Sequence, residues 1–315
     1  MNDQPVRLGT RRSPMAMAQS QGIADLLTAR TGRPVELVGI ATHGDVSTAH
    51  LTQLGGTGVF VSALREAVLD GQVDFAVHSL KDLPTGAAPG LTLAAVPARD
   101  DPRDALVTGS GAKLADLPRA ARIGTGSPRR AAQLLLLRPD LRPVPIRGNA
   151  GTRLGKLDSG EVDAVVLAVA GLARLGLLDL VSQYFEPDEM LPAPGQGALA
   201  VECATDRPDL AALLAVLDDP ASRAATGAER SLLAALEAGC SAPVGAYAAG
   251  AGTLRLAAIV AAADGGAALR ASAAGPADQA ESLGRQVAAD LLGRGAASYP
   301  DVSGGGHQSD GDDVK

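Results

Sequence analysis

The sequence LGTRRSPMAMAQ at residues 8–19 recurs in altered form as IGTGSPRRAAQ at residues 123–133. Each copy predicts the end of a strand, a glycine turn, a serine that caps a helix and a proline at the first helical position. The first turn of a helix presents unpaired N–H groups and a partial positive charge, which favour anions. Because arginines accompany both copies, the sequence predicts a cleft that holds a polyanionic small molecule.

The repeat extends beyond these two junctions. GQVDFAV at residues 71–77 matches GEVDAVV at residues 160–166, and each predicts a turn into a buried strand after an amphipathic stretch. Residues 6–97 and 104–190 therefore resemble two copies of one α/β unit. Because strands alternate with helices, we expect mostly parallel sheets covered on both faces.

Two segments predict connections between these units. Residues 100–103, Asp-Asp-Pro-Arg, form a polar link, and LPAPGQG at residues 191–197 forms a second one. The strand-like residues 198–203 then resemble a return to the first sheet. Two crossings between similar lobes are typical of a hinged pair, whose ligands bind beyond the carboxyl ends of the strands.

The sequence predicts two lobes, a smaller C-terminal α/β domain and a tail. The C-terminal domain should contain a helix at 219–240, a strand at 254–260 and a helix at 278–292. The tail is rich in Gly, Ser and Asp and should be disordered. The predicted bounds are 1–97 with 198–217 for the first lobe, 98–197 for the second, 218–297 for the C-terminal domain and 298–315 for the tail.

The composition is that of a globular protein, with 46% hydrophobic and 20% charged residues among 315. Only 2% of residues are aromatic and the net charge is −7, which argues against a nucleic-acid binder. Between Arg119 and Arg153, however, there are eight arginines and a single acidic residue, Asp140. This local basic segment suits an anion pocket; the alternative is a solvated helix face rich in arginine.

Two cysteines and four histidines are scattered without a CxxC pair, so we expect no structural zinc site. The first residues lack the basic-then-apolar pattern of an export signal, and no apolar run reaches membrane-spanning length. We therefore expect a cytoplasmic protein with reduced thiols.

The candidates for chemistry are a thiol and a carboxylate. Cys240 lies in a Gly/Pro loop after a predicted helix and suits covalent attachment or nucleophilic work, whereas Cys203 ends an apolar strand and is assigned to packing. Asp82 follows a strand of the repeat and could stabilise a developing cation, with Lys81 pairing with ligand acids. The alternative is that Lys81 and Asp82 are turn residues before Pro84.

Three more arginines, Arg147, Arg153 and Arg174, follow predicted strand ends. A guanidinium group pairs bidentately with a carboxylate, so these positions suit a ligand with several carboxylates. Arg153 and Arg174 could instead be charges on a helix surface.

Together these motifs resemble the porphobilinogen deaminases, also called hydroxymethylbilane synthases, along nearly the whole chain. The most specific matches, in chain order, are HSLKDLP at 78–84, GTGSPRRAAQ at 124–133, RGNAGTR at 147–153, LAVAGLARLG at 167–176, LPAPGQGALAVE at 191–202 and EAGCSAPVG at 237–245.

The resemblance implies an enzyme of tetrapyrrole synthesis that condenses four porphobilinogen units on a covalent dipyrromethane cofactor and releases ammonia. It implies Cys240 as the attachment residue and Asp82 as the catalytic aspartate, which holds pyrrole N–H groups and stabilises positive charge. The product, hydroxymethylbilane, would pass to the next enzyme of the pathway. We expect a monomer with no nucleic-acid or membrane partner.

The resemblance also implies a set of binding residues, because every pyrrole ring carries an acetate and a propionate group. The positions that match the family are Arg11, Ser13, Ser79, Lys81, Thr125, Ser127, Arg129, Arg130, Arg147, Arg153, Arg174 and Gln196. The family's mobile loop over the cleft matches Gly55, Gly56, Gly58 and Phe60, although the lysines common in that loop are missing here.

A second hypothesis is a small-anion binding protein without catalysis, built from two lobes like those of periplasmic binding proteins. The fold would be the same α/β class with two such lobes. Such a receptor should have an export signal, and it has no use for a third domain that carries a cysteine to the cleft. These two features favour the enzyme.

Overall fold

The computed structural model describes residues 4–40, 58–239 and 242–299, with residues 58–60 as backbone. The strands are β1 (Val6–Arg11), β2 (Val35–Ile40), β3 (Phe75–Ser79), β4 (Leu91–Ala95), β5 (Asp104–Val107), β6 (Arg122–Thr125), β7 (Arg142–Pro145), β8 (Ala164–Ala168), β9 (Gln183–Phe185), β10 (Leu199–Ala204), β11 (Val244–Ala249), β12 (Thr253–Ala261) and β13 (Ala268–Pro276). The α-helices are α1 (Pro14–Thr31), α2 (Gly58–Leu69), α3 (Pro128–Leu137), α4 (Ala150–Asp158), α5 (Val169–Arg174), α6 (Pro208–Leu214), α7 (Pro220–Ala235) and α8 (Ala280–Gly293).

Two sheets of matching topology form the two lobes. The strand order is β2-β1-β3-β10-β4 in the first sheet and β7-β6-β8-β5-β9 in the second. In each sheet the fourth strand runs antiparallel to both neighbours, and the other strands share one direction. The result confirms the predicted α/β class with mostly parallel sheets.

The same ion pair in both lobes supports the internal repeat. Arg7 at the start of β1 donates its backbone N–H to Asp74 Oδ2 at 2.7 Å, and its guanidinium binds the same carboxylate. Arg122 at the start of β6 makes the equivalent bonds to Asp163, again with a backbone bond of 2.7 Å. Each aspartate belongs to the repeated turn into a buried strand.

Serine caps both helices of the repeated junctions. Ser13 Oγ accepts the Ala16 N–H at the start of α1, and Ser127 Oγ accepts the Arg130 N–H at the start of α3. Each serine has an extended backbone and is followed by proline. The predicted caps are confirmed.

The antiparallel strand of each sheet comes from a crossing between the lobes. β5 follows the first link and enters the second sheet, whereas β10 follows the second link and enters the first. The links touch where Asp100 donates its N–H to the Gly197 carbonyl. Gly197 has a φ of 89°, and a Cβ there would lie 2.5 Å from the Asp100 oxygen, so only glycine fits this contact.

Cys203 lies in the core of the first lobe. It is fully buried and belongs to the apolar cluster that contains Leu8, Leu27 and Phe75. Burial raises the pKa of the Cys203 thiol. The prediction that Cys203 is a packing residue is confirmed.

The C-terminal domain is a three-stranded antiparallel sheet, β11-β12-β13, with α7 and α8 packed on one face. Alternate residues of β12 face the other way, where Ile259 and Ala261 pack against Ala132 and Leu191 of the second lobe. α7 ends at Ala235 rather than at residue 240, and Glu237 takes a left-handed φ of 53°.

Tyr299, the second residue of the predicted tail at 298–315, packs against the core of the C-terminal domain. Residues 300–315, the rest of that tail, lie outside the described residues. In the part of the chain that the structure covers, no helix is long and apolar enough to cross a membrane.

Candidate active site

A cavity of about 40 Å³ lies where both lobes meet the C-terminal domain. Lys81 of the first lobe and Ser127 and Arg129 of the second line it together with Gly239 and Ala242 of the C-terminal domain. The last two residues flank Cys240 and Ser241, which lie outside the described residues. A larger crevice of about 470 Å³ at the opposite end of β1 contains none of the predicted site residues.

Arg129 and Arg130 form a buried pair on the first turn of α3, with 3% and 5% of their surface exposed. Both bind Asp104, the first residue of β5: Arg129 Nη1 lies 2.8 Å from Oδ2, and Arg130 Nη2 lies 2.7 Å from Oδ1. Burial raises the pKa of Asp104, but the two guanidinium charges outweigh this and hold it well below its usual range. Asp104 is therefore ionised at neutral pH.

The arginine pair is also tied to the main chain. Arg129 Nη1 donates to the Leu191 carbonyl at 2.6 Å, and Arg130 Nη1 donates to the Val166 carbonyl at 3.1 Å. Arg129 Nε is buried and has no hydrogen-bond partner among the residues that the structure describes. A buried donor without a partner is unfavourable, so a water molecule or a ligand oxygen at this point would stabilise it.

Gln196 connects the two lobes through its side-chain amide. Its Nε2 donates to Asp104 Oδ1 at 2.8 Å and to the Pro102 carbonyl at 2.7 Å. Its Oε1 accepts from Lys81 Nζ at 3.3 Å. A continuous set of hydrogen bonds thus joins Lys81 of the first lobe to the arginine pair of the second.

Lys81 and Asp82 lie on a single 3₁₀ turn, Leu80–Asp82, directly after β3. Burial lowers the pKa of Lys81 to about 8; the carboxylate of Asp82 opposes this shift and the charge of Arg130 adds to it. Arg230 of α7 donates to the Leu83 carbonyl at 2.9 Å and to the Pro84 carbonyl. The turn is therefore held against the C-terminal domain and presents Lys81 to the cavity.

The other predicted arginines lie in different surroundings. Arg153 is half-buried and donates to the Gly148 carbonyl; burial lowers its pKa, and the charge of Arg130 adds to the effect. Arg174 binds Asp100 and the Gly197 carbonyl, so it holds the two links together. Arg147 is exposed after β7, and Arg11 is half-buried at the end of β1.

The predicted hydroxyl residues Ser79 and Thr125 each accept a hydrogen bond at the end of a strand. Ser79 Oγ accepts from Gln19 Nε2 at 3.0 Å, and Thr125 Oγ1 accepts the Ser127 N–H at 3.2 Å. In the predicted lid, Gly58 and Phe60 belong to the first turn of α2. Gly55 and Gly56 lie outside the described residues.

Part of the basic segment between Arg119 and Arg153 consists of solvated surface charges, which was the alternative to an anion pocket. Arg119, Arg122 and Arg142 are exposed, and Arg122 pairs with Asp163. Of the eight arginines between residues 119 and 153, Arg129 lines the cavity, Arg130 shares Asp104 with it, and the charge of Arg130 acts on Arg153 of α4. Across 4–40, 58–239 and 242–299, no group of three His, Cys, Asp or Glu residues could hold a metal ion.

Two carboxylates of this region were missed at the level of sequence, Asp104 and Glu229. Glu229 of α7 is fully buried and accepts from Arg99 Nη1 at 2.7 Å, Gly195 N at 2.7 Å and Ala248 N at 2.8 Å. It thereby joins both links to the C-terminal domain. The sequence did contain a signal for Glu229, because a charged residue on the apolar face of an amphipathic helix indicates a buried, paired charge.

Two family models match the chain. Residues 6–212 match "Porphobilinogen deaminase, dipyromethane cofactor binding domain", and residues 224–293 match "Porphobilinogen deaminase, C-terminal domain". Among similar proteins, the porphobilinogen deaminase of Thermobifida fusca is 60% identical over 306 residues, which cover 94% of this chain and 96% of that protein. Porphobilinogen deaminase 1 of Streptomyces coelicolor is 57% identical over 311 residues, which cover 94% and 98%.

Solved structures that align with part of the chain include periplasmic proteins. An ABC transporter periplasmic substrate-binding protein from Coxiella burnetii aligns with a TM-score of 0.42 and 18% identity, over 69% of this chain and 93% of that one. The VFT2 domain of Bordetella pertussis BvgS aligns with a TM-score of 0.40 and 16% identity, over 67% and 84%.

Proposed function

Because this chain belongs to the porphobilinogen deaminase family, we propose that the cavity between its three domains is the centre of its active site. The chain condenses four porphobilinogen units stepwise on a dipyrromethane cofactor and releases ammonia and the linear tetrapyrrole hydroxymethylbilane. The family match supports this enzyme and not a two-lobed binding protein without catalysis.

The observation that carries the proposal is the buried arginine pair beside the cavity. A dipyrromethane bears acetate and propionate groups, and Arg129, Arg130 and Lys81 offer the cationic donors that such groups need. The unpartnered Nε of Arg129 is one donor ready for a carboxylate oxygen. The residues present therefore fit the cofactor, which would supply the carbon that accepts the first incoming ring when it is bound.

The remaining residues divide between binding and charge stabilisation. We assign substrate and cofactor carboxylates to Arg11, Arg147, Arg153 and Arg174 in addition to the pair, and supporting hydrogen bonds to Ser13, Ser79, Thr125, Ser127 and Gln196. Asp82 holds the pyrrole N–H groups and stabilises the positive charge that develops on the substrate as ammonia leaves.

The domain division completes the proposal: a first lobe at 1–97 with 198–217, a second at 98–197 and a cofactor-carrying domain at 218–297. The exchange of β5 and β10 between the sheets supports the bounds of the two lobes. We further propose that the chain is a cytoplasmic, monomeric transferase whose product goes to the next enzyme of the pathway.

Cys240 is the proposed attachment residue, and the intact mass tests it. The denatured protein should be heavier than its sequence by two linked pyrrole units. Cys240→Ser should lose both this increment and all turnover, because the acceptor is no longer tethered at high effective concentration. Cys203→Ala is the matched control and should keep the increment. An unmodified wild-type mass together with full turnover would contradict the proposal.

The lowered pKa of Lys81 predicts how cofactor loading depends on pH. Its pKa of about 8 means that the ammonium group is present below that pH and is lost as the pH rises through it. The rate at which the cofactor-free chain takes up porphobilinogen should therefore fall between pH 7 and pH 9. Lys81→Arg keeps its charge over this range and should flatten the fall. Equal profiles for the two proteins would show that Lys81 does not bind a ligand carboxylate.

A further inference from the structure

Asp104 is a carboxylate at the centre of an anion-binding site. It is fully buried as the first residue of β5, immediately after the link that leaves the first lobe. A negative charge there repels a ligand that carries carboxylates. Asp104 therefore does not serve the site by binding the ligand itself. Its presence has to be explained by what it does for the arginines.

All described side-chain contacts of Asp104 are with proposed site residues. Oδ2 accepts from Arg129, and Oδ1 accepts from Arg130 Nε at 2.9 Å, from Arg130 Nη2 at 2.7 Å and from Gln196 Nε2 at 2.8 Å. Two oxygens therefore fix the planes of two guanidinium groups and the position of the amide that connects the lobes.

Two guanidinium groups buried side by side are strongly unfavourable without a counter-charge. Before any ligand arrives, Asp104 is the nearest such charge among the described residues and contacts both groups. It neutralises one of the two positive charges and leaves the other for a ligand. The charges and hydrogen bonds of both arginines also keep it ionised, because they outweigh the effect of burial and hold its pKa below the usual range.

We propose that Asp104 is a positioning residue that acts as the resident counter-ion of Arg129 and Arg130, holding the pair assembled and aligned to receive ligand carboxylates. This inference rests on the proposed function, in which the two arginines bind the carboxylates of cofactor and substrate. Through Gln196, the same carboxylate sets the arginine pair at a fixed position relative to the hinge and to Lys81.

Chemical rescue of the full-length chain tests this role. Asp104→Ala opens a space beside two guanidinium groups, and formate can fill it with a carboxylate, whereas neutral formamide cannot. Cofactor loading by porphobilinogen, followed by intact mass, should slow at least about tenfold in Asp104→Ala, and formate should restore both loading and the thermal unfolding midpoint. Asp104→Asn, which keeps the shape without the charge, should also load slowly.

Glu202→Gln provides the matched control. Glu202 is also buried and pairs with Arg65, but it does not line the cavity. This variant should lose stability without any gain from formate. If Asp104 only stabilised the fold, formate would not restore cofactor loading. Comparing Asp104→Ala with Glu202→Gln therefore distinguishes a positioning role from simple stabilisation.

Two results would overturn the inference. Wild-type loading by Asp104→Asn, or equal rescue of Asp104→Ala by formate and formamide, would show that the charge is not needed. If Arg129→Leu still blocks loading in that case, the proposed function stands and only the role of Asp104 fails. If neither Arg129→Leu nor Asp104→Ala changes loading, the ligand role of the arginines fails as well.

Discussion

Asp82→Ala should lose nearly all turnover while keeping the dipyrromethane cofactor. Asp82 lies on the 3₁₀ turn that follows β3, next to Lys81, and Arg230 holds this turn in place through its carbonyls. A positioned carboxylate stabilises positive charge that develops on the substrate, and loss of one such group slows a reaction by about 10²–10³-fold. The rate of hydroxymethylbilane formation and the intact mass of the same sample measure both parts of the expectation.

Asp116→Ala is the matched control for Asp82. Asp116 also ends a short 3₁₀ turn, Leu114–Asp116, but it is exposed and does not line the cavity. Its replacement should leave turnover unchanged. Asp82→Glu should retain part of the activity because the charge remains and only its position shifts. Near-normal rates for Asp82→Ala would rule out the proposed role.

The repeated junctions allowed the architecture to be predicted because each carries several local signals at once. Glycine, the capping serine and the helix-initiating proline act through neighbouring atoms, so their effect is readable in the sequence. The structure shows the same caps and matching strand orders in both lobes. Each link leaves one lobe at the same place in the repeat. The strand that follows it, β5 or β10, therefore enters the sheet of the other lobe.

β11 and β13 were not predicted as strands. They contain the sequences VGAYAA and ALRASAAGP, in which alanine and glycine replace the β-branched residues that mark a strand. Pairing with β12 and packing against α7 and α8 stabilise them instead. Local propensity cannot show this, because the contacts join residues that are distant in the chain.

The candidate site shows the same division between local and long-range information. Arg129 and Arg130 were predicted from their place at a helix start, which is a local feature. Asp104 was missed because a single aspartate at the start of a strand has no distinguishing pattern; its importance arises only when the second lobe folds and brings both arginines to it.

Arg130→Leu should give a chain that carries no cofactor and unfolds more readily. The change removes a donor for ligand carboxylates and leaves Asp104 with one guanidinium partner instead of two. Breaking a buried ion pair by removing one partner costs about 3–5 kcal/mol of stability. Intact mass measures the cofactor, and denaturant unfolding measures the stability.

Arg122→Leu is the control from the same basic segment. Its guanidinium is exposed and pairs with Asp163, an arrangement that contributes little to stability because water screens the two charges. Cofactor loading should be normal in this variant. Full loading of Arg130→Leu would contradict the assignment of the arginine pair to the ligand.

A double replacement separates the two effects of Arg130→Leu. Arg130→Leu leaves the buried carboxylate of Asp104 with only one guanidinium partner, and Asp104→Asn removes that charge. The double variant should therefore lose less stability than the sum of the two single variants. Loading should not recover, since the guanidinium that binds the ligand is still missing. Recovery of loading together with stability would mean that Arg130 serves the fold alone and that the pyrrole carboxylates bind elsewhere.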